Sequence, residues 1–261
     1  MLGVWCVFIE GLGRGGADGF LPHASMLHPL PDGVGGDWAS LHEPLSIAIH
    51  GILRQPPTDG DPVLIIGAGI IGLGAVATIK ALFPSAAITG IAKYPHQVAA
   101  AKALGAHHTV VPTEDGSHFE ELAALSGTKA RRTPGGVILE AGFPCVVEAV
   151  GASGTVTEAL RCVDSRGTVV LLGAAGVGEV DLTPVFFKEV SLVGSFCHAH
   201  DPGPGGGPDA HSIDRALAIM AAGGFPADLL ITHRFPLDDF RTAIEVGMDR
   251  AAGAIKVTLH P

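Results

Sequence analysis

Pro62-Val63-Leu64-Ile65-Ile66-Gly67-Ala68-Gly69-Ile70-Ile71-Gly72 decides how the rest of the chain is read. Val63–Ile66 is an unbroken branched apolar run, which suits a strand buried on both faces. Residues 73–83 then read as a helix stopped by Pro84. Between them stands Gly-x-Gly-x-x-Gly. Gly67 allows the tight turn out of the strand, Gly69 lets a pyrophosphate approach the backbone, and Gly72 lets the helix lie close to the sheet. The first free N–H groups of that helix, with Ile70 and Ile71 in its opening turn, face the phosphates. The motif alone is weak, but the strand before it and the helix after it supply the context that a dinucleotide site requires.

Outward from this stretch, strand and helix alternate. Strands are expected at 87–91, 108–111, 145–150, 168–172 and 190–194, with helices at 96–104, 117–125 and 154–162 between them. The alternation predicts an α/β fold, a doubly wound parallel sheet of Rossmann type with right-handed crossovers. A helix is expected over 45–53, a Gly/Pro loop over 202–208, a helix over 212–222, and a strand–helix–strand tail over 229–232, 237–247 and 254–259.

Composition narrows the function. The 261 residues are 47% hydrophobic, enough for one large or two small domains with a substantial core. Sixteen basic against 26 acidic residues leave a net charge of −10 and no basic stripe, which argues against a nucleic-acid partner. No apolar run is long and charge-free enough to span a membrane. Cys6, Cys145, Cys162 and Cys197 are scattered, without a Cys-x-x-Cys pair, which fits a reduced cytoplasmic compartment and gives no four-cysteine zinc lobe. Residues 1–10 lack the charged start and the small-residue cleavage site of a signal peptide.

The second expected strand ends at Ala92-Lys93-Tyr94. In an NAD site a carboxylate near this point binds the ribose hydroxyls. Here none stands there, and Lys93 supplies a cation that would attract a 2′-phosphate. The expectation is NADP(H) preferred over NAD(H); a solvated loop lysine is the plainer alternative for Lys93.

With these residues placed, the chain resembles the medium-chain dehydrogenase/reductase superfamily, in particular its zinc-dependent alcohol, polyol and threonine dehydrogenase branch. The resemblance rests on Leu41-His42-Glu43-Pro44-Leu45, Ala101-Lys102-Ala103-Leu104-Gly105-Ala106, Val147-Glu148-Ala149-Val150-Gly151, Val170-Leu171-Leu172-Gly173, Ile231-Thr232-His233-Arg234-Phe235-Pro236-Leu237 and Gly253-Ala254-Ile255-Lys256-Val257. It implies hydride transfer between NADP(H) and an alcohol/carbonyl pair. It also implies that the nicotinamide is held near Val150-Gly151, Gly173-Ala174 and Phe196-Cys197, with Lys256 against the pyrophosphate. Glu43 matches the Glu-Pro glutamate at or beside the catalytic zinc; from the residues alone it is equally a carboxylate at a helix start.

The family's N-terminal GroES-like barrel is almost wholly missing. The resemblance divides the chain into a remnant of the catalytic domain at 1–43, a dinucleotide-binding domain at 44–196, and a segment returning to the catalytic domain at 197–261. Zinc is expected for the family, yet its ligands are absent. Cys197-His198-Ala199-His200-Asp201 could hold a metal only if Glu43 or His211 folded towards it. Two other readings stay open, a catalytically inactive NADP(H)-binding fragment or subunit and a zinc-independent NADPH reductase. Surface left uncovered by the missing barrel, with 4–9 and 229–232 as candidates, predicts a homo-oligomer or association with another chain.

Overall fold

The computed structural model describes residues 27–58 and 60–260, apart from the side chain of Arg250. The apolar stretch at 4–9, Cys6 and His23 lie outside the described residues. Six parallel strands form one sheet in the order β3-β2-β1-β6-β7-β8. These are β1 (Pro62–Ile66), β2 (Ala87–Ile91), β3 (His108–Val110), β6 (Phe143–Glu148), β7 (Val163–Leu171) and β8 (Ser191–Gly194). This is the doubly wound Rossmann arrangement, in which the order reverses between β1 and β6.

Alternation along the strands sends successive side chains to opposite faces. Val63, Ile65, Val147 and Val170 pack with α1 (His42–Arg54), α2 (Ile70–Leu82) and α3 (Pro95–Ala103). Leu64, Ile66, Val146 and Val169 pack with α4 (His118–Ser126) and α5 (Ser153–Cys162). Both faces are covered, which is why β1 and β6 read as continuous apolar runs. Cys145 and Cys162 are buried in this core as free thiols, and burial pushes the Cys145 thiol up to about 12.

Four features depart from the sequence reading. A hairpin, β4 (Ala130–Thr133) with β5 (Gly136–Leu139), precedes β6; its turn runs through Pro134-Gly135, and Gly136 has φ +127°. A short helix, α6 (Thr183–Lys188), precedes β8. The expected loop at 202–208 lies mostly within a second hairpin, β9 (His200–Gly203) with β10 (Gly207–His211). Its turn uses Gly205 and Gly206 at φ +66° and +78°, so the glycines that suggested a loop are those that a tight reversal needs. Finally, the apolar residues of 229–232 are not exposed surface, although Thr232 is. α8 (Ala227–Leu230) leads into β11 (Ile231–Pro236), and Leu230 and Ile231 are buried in the core. Trp38, which donates to the Phe225 carbonyl, packs against that core.

The remaining elements are α7 (Ser212–Ala221), packed with α1 in the first core, α9 (Phe240–Met248), and β12 (Lys256–His260), which pairs in parallel with β11.

Lys188 ties α6 to the sheet. It is 3% exposed, and its Nζ donates to the carbonyls of Leu139 and Val163, each at 2.7 Å. Burial lowers its pKa, against the pull of Asp164. Lys188→Ala strands both carbonyls and opens a cavity, so denaturant unfolding should show a loss of about 2–3 kcal/mol.

Candidate functional site

The C-terminal ends of β1, β2 and β6 converge where the strand order reverses, and an open α/β sheet places its ligand crevice there. Gly67 N–H donates to Ile91 O at 3.0 Å, and Ala149 N–H to Ile66 O at 2.9 Å, which fixes the turns leaving β1 and β6 beside one another. Gly67 has φ +97°, and a Cβ on it would fall 2.4 Å from Val150 Cγ2. On Gly72 a Cβ would fall 1.8 Å from Gly67 O. At Gly69, by contrast, a Cβ would meet nothing within 4 Å. The turn is therefore closed against the sheet at both ends and open in its middle, where a phosphate can reach the N-terminus of α2. Ile70 and Ile71 in that first turn are half-buried.

The other expected contacts form a second wall. Gly151 has φ +81°, and a Cβ there would stand 2.7 Å from the Ala174 backbone; on Gly173 it would stand 2.1 Å from Gly151 N. The ends of β6 and β7 thus meet backbone to backbone, and Val150, Gly151, Gly173 and Ala174 come together.

Glu148 explains how this wall is held. It is 0% exposed, at the end of β6. Its Oε1 accepts from Val150 N–H at 3.0 Å, Gly151 N–H at 2.9 Å and Thr155 Oγ1 at 2.7 Å. Its backbone carbonyl accepts from the N–H groups of Leu172 and Gly173. One residue therefore orients both loops and lies close to the N-terminus of α5, where the helix dipole favours its charge. Glu148 stands in the Val147-Glu148-Ala149-Val150-Gly151 block, where its residue type alone assigns it no site role. A charged residue ending a continuous apolar strand is the signal that could have found it.

Lys93 and Tyr94 follow β2, on the neighbouring strand end. Lys93 is exposed, with its Nζ 5.7 Å from the centre of the Tyr94 ring, and that ring stacks on His96 at 5.7 Å. The lysine is thus free to meet an anion at the mouth of the crevice.

Glu43 and Lys256 come near one another. Lys256 is half-buried, and burial lowers its pKa, while the charge of Glu43 opposes that shift. Glu43 lies in the first turn of α1. Phe196 and Cys197 follow β8; Phe196 is 82% exposed and Cys197 is half-buried with φ +54°. His211 does fold towards His198 and His200, with ring centres 5.1 and 5.0 Å away. Even so, no group of three or more His, Cys, Asp or Glu among the described residues is set to hold a metal. The donor set present in the described residues does not fit a catalytic zinc.

The zinc-binding dehydrogenase family profile matches residues 71–204. The sorbitol dehydrogenase of Bombyx mori is 28% identical over 242 residues, covering 91% of this chain and 62% of that protein. A zinc-binding dehydrogenase from Sinorhizobium meliloti, solved bound to NADP, superposes with a TM-score of 0.69 at 26% identity, over 89% of this chain and 61% of that one. An alcohol dehydrogenase from Escherichia coli, solved with NADH, shares the fold with a TM-score of 0.71 at 22% identity, over 90% and 62% of the two chains. The chain spans about three fifths of the length of the curated relatives it matches.

Proposed function

This chain belongs to the zinc-binding dehydrogenase family, and on that premise we propose that it is the cofactor-binding part of an alcohol- or polyol-type oxidoreductase that prefers NADP(H). The observation carrying this reading is the glycine turn, closed at Gly67 and Gly72 and open at Gly69. The N–H groups at Ile70 and Ile71 would hold the pyrophosphate, and Lys93 the 2′-phosphate. Val150, Gly151, Gly173 and Ala174 would line the nicotinamide, Glu148 fixing their backbone. When bound, the cofactor supplies or accepts the hydride exchanged with an alcohol/carbonyl pair. In this reading, residues 44–196 are the dinucleotide-binding domain, and 1–43 and 197–261 are what remains of the catalytic one.

A charge-assisted bond to a phosphate contributes about 1.5–3 kcal/mol, or roughly ten- to a hundredfold in affinity. Lys93→Met should therefore weaken NADPH binding by about that factor and leave NADH binding unchanged. An unaltered NADPH/NADH affinity ratio in equilibrium titrations would remove the assignment.

That no group of three or more metal donors gathers among the described residues favours a second reading, an NADP(H)-binding subunit without metal-assisted chemistry. Under either reading a further chain has a place to dock. Edge strand β8 carries exposed Leu192, and Phe186 and Phe187 on α6 are 87% and 54% exposed. A homo-oligomer or a barrel-bearing partner would cover them. No helix among the described residues is long and apolar enough to cross a membrane.

A further inference from the structure

His211 stands at the junction of β10 and α7 and caps that helix. Its Nδ1 accepts from Ile213 N–H at 3.2 Å, the side-chain cap of α7. An imidazole can accept at that nitrogen only while it is unprotonated there; the imidazolium has two donors and no acceptor.

Three other imidazoles crowd this ring. Their centres lie 4.8 Å (His28), 5.1 Å (His198) and 5.0 Å (His200) from that of His211. They come from three places: the segment before α1, the stretch leaving β8, and the start of β9. The charged groups around them are few. On α7, Asp214 Oδ1 lies 2.7 Å from His28 Nδ1. Buried Asp201 on β9 is paired with His50 of α1, and His42 and Glu43 of α1 act on His198. His198 Nδ1 is buried without a hydrogen-bond partner, so a proton placed there has nowhere to donate.

We propose that this histidine cluster is an acid-released latch: protonation of His211 removes the α7 cap and sets like charges about 5 Å apart, loosening the β9–β10 hairpin from the start of α7. The device is independent of nucleotide binding. Its remaining ties are the His28–Asp214 and His50–Asp201 pairs and hydrogen bonds of the backbone, Ser212 and Arg215. Ser212 exchanges hydrogen bonds with the Ala199 backbone, and Arg215 donates to the carbonyls of Asp201 and Pro208. The segment therefore opens locally and does not unfold with the sheet.

The direction follows from linkage. Burial first, then the neighbouring His198, His28 and His200, hold His211 below its ordinary value of 6.5 in the closed form. The open form thus takes the proton first. Closure is complete above about pH 6.5 and weakens as the pH falls below it.

Amide hydrogen exchange on the full chain, corrected for intrinsic rates, tests this between about pH 7.5 and about pH 5. Protection of Ile213 and its neighbours should fall by about fivefold or more, the worth of a lost cap, while the β1 amides stay unchanged. In His211→Asn and His211→Ser, which cap at every pH, protection should be flat. Flat protection in the wild-type chain, or an undiminished drop in both variants, would overturn the latch. So would a drop that disappears with EDTA, since the cluster would then be answering to a bound metal and not to protons.

Discussion

Gly72→Ala is expected to cost about 3 kcal/mol of stability, whereas Gly69→Ala should leave stability within about 0.5 kcal/mol and still abolish tight dinucleotide binding. The two glycines lie three residues apart in one turn and do different work. A methyl on Gly72 would sit 1.8 Å from the Gly67 carbonyl oxygen and 2.9 Å from its carbon. Both are backbone atoms, with no rotamer to turn aside, so the start of α2 must lift off β1. At Gly69 the methyl meets no protein atom within 4 Å, and its φ of −77° is ordinary for alanine. It would instead fill the space through which a pyrophosphate approaches. Denaturant melts of both variants beside an NADPH titration separate the roles. The variants should lose affinity together but stability apart, and equal stabilities would mean that the Gly67–Gly72 contact does not set the helix position.

Glu148→Ala is the second large expected effect, about 3 kcal/mol of stability with a matching loss of NADPH affinity. Its carboxylate is the buried acceptor for the Val150 and Gly151 N–H groups and the Thr155 hydroxyl. Truncation leaves two N–H donors unpaired beside a new cavity. Glu148→Gln keeps the volume and one acceptor oxygen, but its amide nitrogen would face Gly151 N–H, which approaches both carboxylate oxygens, Oε2 at 3.0 Å. It should cost about half as much. Should Glu148→Ala melt as the wild type does, Glu148 would not be what holds the loops of β6 and β7.

What could be read from the sequence follows what the physics makes local. The central strand β1 and the glycine turn are legible because a strand covered on both faces is apolar throughout, and a backbone contact at 1.8 Å admits only glycine. The β9–β10 hairpin is not. Pro202, Pro208 and the run of glycines carry loop composition, and only the antiparallel pairing of β9 with β10 shows that they reverse the chain. The run at 229–232 reads as surface because Trp38, which packs against the same core, is far away in sequence. The site divides in the same way. Gly67, Gly69 and Gly72 announce themselves by spacing. Glu148 works through its neighbours' backbone, and His211 gains its meaning from His28, His198 and His200, which tertiary structure alone gathers.

The central claim, an intact crevice selective for a 2′-phosphate, is tested most directly by calorimetric titration of the full chain with NADPH and with NADH. NADPH is predicted to bind one per chain, roughly ten- to a hundredfold more tightly than NADH. Equal affinities would contradict the role of Lys93, and failure of both nucleotides to bind would contradict the site itself.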